Sequence, residues 1–237
     1  MAIYETGHAK NVANFEDLLA IITSFGASYN PVKVALKIIN LTPILTQAKA
    51  DLQTVTTKTV LYNNAANARA TLFEPIKPLA TRIVNAFKAT DASAKAIKEI
   101  KSVNRKLQGR RATPIPTTTP PPATISASQQ SYDQMIEHFN RLIEIVKTET
   151  TYTPNENDLK VATLTPQLAA LRAANAAVAT AYASVYSARI ARDKTLYKQK
   201  TGIYYLVLDI KSYVRSLYGN ASAENRQIGM VKFKIIS

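Results

Sequence analysis

Residues 42–73 read TPILTQAKADLQTVTTKTVLYNNAANARATLF, and this stretch decides the fold. Its less polar positions recur in alternating steps of three and four residues, from Leu45 to Phe73. That spacing is typical of one face of a long α-helix in a coiled coil or a helical bundle. Thr42 is a suitable N-cap and Pro43 a suitable first helical residue, so we expect the helix to begin there. Two prolines shortly after residue 73 predict its end.

A second copy of the same pattern lies 123 to 129 residues further along the chain. The segment FEDLLAII at 15–22 corresponds to FNRLIEIV at 139–146. Four further pairs follow in the same order: YNP and YTP at 29–31 and 152–154, LTP at 41–43 and 164–166, TLF and TLY at 71–73 and 195–197, and DASA and NASA at 91–94 and 220–223. Ordered matches of this kind indicate an internal duplication.

These patterns predict an all-α protein made of two tandem antiparallel helical bundles, 1–109 and 128–237, each with one long central helix. In the first copy we expect helices over 11–28, 31–40, 42–73, 78–89 and 91–107, with Asp91 as the cap and Gly109 as the stop of the last one. The segment between the copies, 110–127, contains five prolines and five threonines. Such a composition favours an extended connector, which is either a plain spacer or a docking segment.

The composition and net charge indicate where the protein is located and which kind of partner it favours. The chain of 237 residues has no cysteine, a formal net charge of +14 and a pI near 9.9. A basic balance of this size favours anionic partners such as nucleic acid or an acidic surface. The N-terminus has no signal-peptide pattern, and no apolar run is long enough to cross a bilayer. A cytoplasmic protein without a transmembrane segment is the expectation, with export by a route that needs no signal peptide left open.

No group of residues in the sequence indicates a catalytic, metal-binding or phosphate-binding site. His8 and His138 have no second histidine at metal-ligand spacing, and we expect His138 to be a partly exposed residue on a helix. No glycine-rich phosphate loop and no nucleophile motif is present. The sequence therefore predicts a protein that is not an enzyme, with no catalytic, metal-binding or cofactor-binding residues and no cofactor.

The segment 95–111 carries the sharpest local charge pattern. Its apolar residues fill one arc of a helical wheel, and its cations fill the opposite arc, with Glu99 as the only acid. This arc is a candidate face for an anionic partner, formed by Lys95, Lys98, Lys101, Arg105, Lys106, Arg110 and Arg111. The alternative is a helix that packs on the core and leaves a solvated basic face.

The long helix of the second copy is almost all alanine between its stripe residues, so a neighbouring helix can approach it closely. Arg69 and Arg192 share one position in the two stripes, where an arginine can bridge to another helix. The candidate packing or assembly residues are Ala174, Ala177, Tyr182, Arg69 and Arg192.

The residues YNP at 29–31, LTP at 41–43, YNNAANAR at 62–69 and TRIVNAF at 81–87 resemble a group of bacterial helical proteins with no assigned activity. The resemblance implies a bacterial, helical, duplicated protein and brings no functional residues. We expect a non-enzymatic structural or interaction protein that self-assembles into a homo-oligomer. The alternative is a nucleic-acid-binding protein that uses the basic face of 95–111, and a third class is a membrane-active helical protein.

Overall fold

The protein is all-α. A computed structural model describes residues 7–110 and 129–236, and no strand occurs among them. The helices of these residues are α1 (His8–Ser24), α2 (Ile38–Phe73), α3 (Ile76–Lys88), α4 (Ala94–Leu107), α5 (Tyr132–Thr148), α6 (Val161–Tyr197), α7 (Ile203–Tyr218) and α8 (Ala223–Met230). Short 3₁₀ turns lie at Gly26–Ser28, Val34–Leu36 and Asn157–Leu159. The expected all-α class is confirmed.

The described residues fall into two compact units. One consists of 7–61 together with 182–236, and we call it the discontinuous unit. The other consists of 62–110 and 129–181, and we call it the continuous unit. Both unit boundaries fall within a helix, because α2 and α6 each begin in one unit and end in the other.

This grouping differs from the consecutive bundles 1–109 and 128–237 expected from the sequence. The physical reason is the length of the long helices. An α-helix of 36 residues is about 54 Å long, whereas a small domain is about 30 Å across. The segments before and after α2 therefore cannot share one small core. Of the expected connector 110–127, only Arg110 lies within the described residues.

Each unit has its own apolar core. In the continuous unit, α3, α4, α5 and the first part of α6 contribute the buried side chains. In the discontinuous unit, the core comes from α1, the first part of α2, the end of α6, α7 and α8. The expected core stripe of the first helix is buried at Val12, Phe15, Leu18, Leu19 and Ile22.

The two cores contain matching hydrogen bonds at positions 123 residues apart. The Tyr29 hydroxyl donates to the Leu36 carbonyl oxygen at 3.0 Å, and the Tyr152 hydroxyl donates to the Leu159 carbonyl oxygen at 3.0 Å. Both bonds are buried, and burial raises the pKa of Tyr152 to about 12, so its hydroxyl remains a donor over the ordinary pH range. Each bond holds a 3₁₀ turn against the core.

Helix α2 begins at Ile38, four residues before the expected cap at Thr42. The Thr42 hydroxyl instead donates to the Ile38 carbonyl at 3.0 Å, inside the first turn. Pro43 therefore lies within the helix, where it cannot donate to the carbonyl of Ile39. Ile39 is 78% exposed, so water can satisfy that group. The helix expected over 31–40 is reduced to the 3₁₀ turn Val34–Leu36.

Other helix ends also differ from expectation. Ser93, not Asp91, caps α4, with its Oγ accepting from the Ala96 amide at 3.2 Å. Helix α3 begins at Ile76, with Pro75 as its N-cap, because proline fits the first turn of a helix. The expected stop at Gly109 is confirmed, since this glycine has a φ of 74° in the left-handed region directly after α4.

We predict that Tyr29→Phe and Tyr152→Phe each lower the free energy of unfolding by about 1–3 kcal/mol, because each leaves a buried carbonyl without its donor. The measurement is urea unfolding followed by circular dichroism. Tyr186→Phe is the control, since Tyr186 is exposed and its substitution should change the free energy by less than about 0.5 kcal/mol. Equal effects at all three positions would contradict the prediction.

Candidate interaction surfaces

Helix α4 is amphipathic in the expected way. Ile100, Val103 and Leu107 are buried in the core of the continuous unit. The side chains on the opposite arc are exposed or half-buried, and we call the described members of this set the basic face: Lys95, Lys98, Lys101, Arg105, Lys106 and Arg110. Arg111 was expected to belong to it and lies outside the described residues.

The charges of the basic face are not neutralised locally. None of its six cations forms an ion pair with any residue of the described ranges. Glu99, the acid of α4, is instead bound by Arg141 of α5, with 2.9 Å between Nη2 and Oε1. Arg105 makes only a weak contact from Nη2 to the Ser102 hydroxyl at 3.4 Å. An anionic partner would therefore meet six available positive charges.

His138 lies beside this face and is buried, not partly exposed as expected. It is 9% exposed, and its Nε2 atom has no hydrogen-bond partner among the described residues. Burial lowers its pKa, and the positive charge of Lys106 lowers the pKa further, while Glu137 opposes the change. The imidazole is therefore neutral in the folded protein near pH 7. Since Nε2 is closed off from solvent, the residue serves packing between α4 and α5.

A second surface is apolar and lies in the discontinuous unit. Tyr186 and Ile190 are 59% and 54% exposed, and they are one helical turn apart on α6. Tyr182, a predicted assembly residue, is also exposed one turn earlier. On α2 of the same unit, Val60 and Leu61 are about half exposed. We call the exposed stripe of Tyr186 and Ile190 on α6 the apolar surface.

A hydrogen bond links α2 and α6 within this unit. The Thr195 hydroxyl of α6 donates to Asp51 Oδ2 of α2 at 2.5 Å, and Gln47 donates to the other oxygen at 2.8 Å. Asp51 is buried and carries both bonds.

The predicted arginines both have partners close by. Arg69 donates from Nη1 to Asn175 Oδ1 of α6 at 2.8 Å, and its guanidinium lies 3.9 Å from the centre of the Tyr132 ring. Arg192 binds the carboxylate of the next residue, Asp193, at 2.8 Å. Ala174 is half-buried and Ala177 is exposed, so only the first contributes to packing inside the continuous unit.

Sequence reasoning missed a polar cluster at the start of α1. The Tyr197 hydroxyl lies 2.9 Å from His8 Nδ1 and accepts from Asn11 Nδ2 at 3.0 Å. Asn11 also donates to the Lys234 carbonyl at 2.6 Å, and Asn14 donates to the Lys232 carbonyl at 2.5 Å. These bonds hold the C-terminal segment against α1. No local pattern could reveal them, because the partners are more than 180 positions apart in sequence.

The structure contains no group of three metal-ligating side chains among residues 7–110 and 129–236. No helix in those ranges is long and apolar enough to cross a membrane. A groove of about 640 Å³ lies in the continuous unit, between the end of α3 and residues 151–156. The buried polar group on its wall, Tyr152, already has its partner.

Acidification should destabilise the protein between pH 7 and pH 5. The pKa values of His8 and His138 are both lowered from 6.5 in the fold, chiefly by burial. As the pH falls through 6.5, the unfolded chain takes up protons that the folded chain does not, so the free energy of unfolding decreases. Urea unfolding at pH 7.5, 6.5 and 5.5 measures this decrease. His138→Gln should reduce the slope, and an unchanged slope would show that His138 contributes nothing.

Comparison with protein-family models, with curated proteins and with solved structures found no match. The resemblance to bacterial helical proteins therefore stays an expectation from the sequence.

Proposed function

We propose that this chain is a non-enzymatic interaction protein that self-associates through the apolar surface. The observation that carries the proposal is the uneven distribution of exposed large apolar side chains. All of those in the described residues lie in the discontinuous unit except Leu72. Single exposed apolar residues are ordinary, but a concentration of them on one part of a protein is typical of an interaction surface.

The geometry of α6 favours a second copy of this chain as the partner. Tyr186 and Ile190 form a stripe along one helix face, and two identical stripes can pack against each other about a twofold axis. Tyrosine suits such a surface, because its hydroxyl remains hydrated while its ring becomes buried. Two copies with a net charge of +14 each repel one another, so salt should strengthen the association instead of weakening it.

We further infer that the chain arose by duplication of one helical unit. The matching tyrosine bonds and the equal lengths of α1 and α5 support this. A proline at the sixth residue of each long helix, Pro43 in α2 and Pro166 in α6, supports the duplication as well.

Tyr186→Glu combined with Ile190→Glu should abolish self-association, because a carboxylate cannot be buried in an apolar contact without a large cost. The expected rise in dissociation constant is on the order of 30-fold or more, as for a residue at the centre of an interface. Light scattering after size exclusion measures the mass at several protein concentrations. Leu72→Glu, at an exposed apolar residue of the continuous unit, is the control. A monomeric parent protein at all concentrations and salt levels would refute the proposal.

A second candidate function is the binding of nucleic acid by the basic face. The specific observation is that its six cations have no ion-pair partner in the described residues, while the nearby Glu99 is already bound by Arg141. A row of cations along one helix, here the five on α4, can follow a phosphate backbone, and each contact adds to a salt-dependent affinity.

Replacing Lys95, Lys98 and Lys101 by glutamate should weaken binding to a duplex oligonucleotide. The slope of log affinity against log salt concentration should fall by about 0.9 for each phosphate that the variant no longer neutralises. Fluorescence anisotropy at 50 to 300 mM salt provides the measurement. The matched control replaces Lys88, Lys160 and Arg172 by glutamate, which changes the net charge equally within the same unit. An equal loss in both variants would show that only the overall charge matters.

A further inference from the structure

Both cores combine residues from before and after the segment 111–128. The core of the continuous unit joins α3 and α4 to α5 and the first part of α6. The core of the discontinuous unit joins α1 and the first part of α2 to α7, α8 and the end of α6. We call residues 7–110 the first half and residues 129–236 the second half. Neither half contains a complete core, so each half needs a partner.

Apolar packing alone does not determine which partner a half takes. Phe15 of the first half and Phe139 of the second half are both fully buried, and so are Leu18 and Leu142. Since the two halves carry the same apolar pattern, a first half could pack with a second copy of itself in the same way. Some other interaction must therefore favour the pairing that the structure shows.

Each core contains an ion pair between a 3₁₀ turn of one half and a helix of the other half. In the discontinuous unit the turn carries the positive charge, and in the continuous unit the turn carries the negative charge. Lys33, beside the 3₁₀ turn Val34–Leu36, binds Asp209 of α7 with 2.5 Å between Nζ and Oδ2. Asp158, in the 3₁₀ turn Asn157–Leu159, binds Arg82 of α3, with 3.2 Å from Nη2 to Oδ1. Arg82 and Asp209 occupy the same place, since each is the seventh residue of its helix, counted from Ile76 and from Ile203.

The sign of these charges opposes pairing between identical halves. In a pair of first halves, Arg82 of one copy would lie at the 3₁₀ turn of the other copy, which carries Lys33. In a pair of second halves, Asp209 would lie at the turn that carries Asp158 and Glu156, and Glu156 is the residue that corresponds to Lys33 at the offset of 123. Both contacts bring like charges together, whereas the observed pairing brings opposite charges together at both places.

A third contact agrees with this pattern. Glu99 of α4 binds Arg141 of α5 at 2.9 Å. Arg141 is the tenth residue of α5, and the tenth residue of α1 is Asp17. In a pair of first halves, Glu99 would therefore meet Asp17, again a like charge.

We propose that the two halves of this chain are specific binding partners of each other, and that the charges at Lys33, Arg82, Asp158 and Asp209 select this pairing over pairing of identical halves. The selection rests in part on the duplication inferred above, because it compares corresponding turns and helices of the two copies. Within the turns, Lys33 and Asp158 are two positions out of register at the offset of 123. Placing like charges in the unwanted pairing is a common way in which proteins obtain specificity among similar partners.

The test uses the full chain with a protease recognition sequence inserted within 111–128. The protein is folded, cut, and analysed by size exclusion and native mass spectrometry at 50 mM salt. We expect the two halves to remain together as one 1:1 species near 26 kDa. Elution of the halves as separate species under native conditions would overturn the proposal that they are partners.

The selection is tested by unfolding the cut protein in urea and refolding it at 50 mM salt. In the double variant Arg82→Asp, Asp209→Arg, the observed pairing brings like charges together at both ion pairs. Pairs of identical halves then bring opposite charges together. We expect the ratio of 1:1 species to pairs of identical halves to fall on the order of tenfold relative to the parent. Reversing all four charges, with Lys33→Asp and Asp158→Arg added, restores opposite charges and should restore the ratio.

Salt provides the last control. At 1 M salt the difference between the variants should become small, because exposed charges are screened within about 3 Å. A ratio that is the same in the parent and in the double variant at 50 mM salt would overturn the selection. Self-association through the apolar surface is distinguished by mass, because it adds whole multiples of the 26 kDa chain and leaves the ratio of the two halves at 1:1.

Discussion

The rest of the structure depends on the length of α2 and α6. With 36 and 37 residues, each helix is longer than a small domain is wide, so its two ends belong to different cores. The helices α3 and α4 pack against each other, as do α7 and α8, but each core is completed only by helices that are distant in sequence. The bonds of Tyr197 to Asn11 and of Thr195 to Asp51 span 186 and 144 positions, respectively. Contacts of such long range carry a large entropic cost of loop closure, which must be met before the core of the discontinuous unit can form.

Most of the secondary structure could be predicted from the sequence, because a helix that packs on a core repeats its apolar residues with the helical period. The buried face of α1, the extent of α2 to Phe73 and the stop at Gly109 follow from local residues. The starts of helices were less predictable. Thr42 and Pro43 are good signals for a helix start, yet the preceding turn is also compatible with a helix, and α2 therefore begins at Ile38.

The partners of the helices could not be predicted in the same way. Both halves have the same apolar period, so the pattern does not distinguish α1 packing near α3 from α1 packing near α7. The contacts of buried polar side chains could not be predicted from the sequence either. The roles of Asp51, Asn11 and His138 depend on residues from other helices, and their neighbours in sequence carry no sign of them. Of the candidate sites, the basic face could be predicted because all of it except Arg110 lies on α4. The exposure of Tyr186 and Ile190 could not, because the alanine-rich sequence of α6 does not show which of its faces is covered.

Exposed ion pairs contribute little to the stability of a protein, yet they can decide between two similar pairings. The reason is that selection depends on a difference of free energies. Burial of equivalent apolar side chains is nearly the same whichever halves pair, so this large contribution cancels in the comparison. The contacts of Lys33 with Asp209 and of Arg82 with Asp158 do not cancel, because attraction is replaced by repulsion. A protein whose two halves share one core pattern needs differences on its surface to specify one pairing, and under the pairing proposed above those differences are charges.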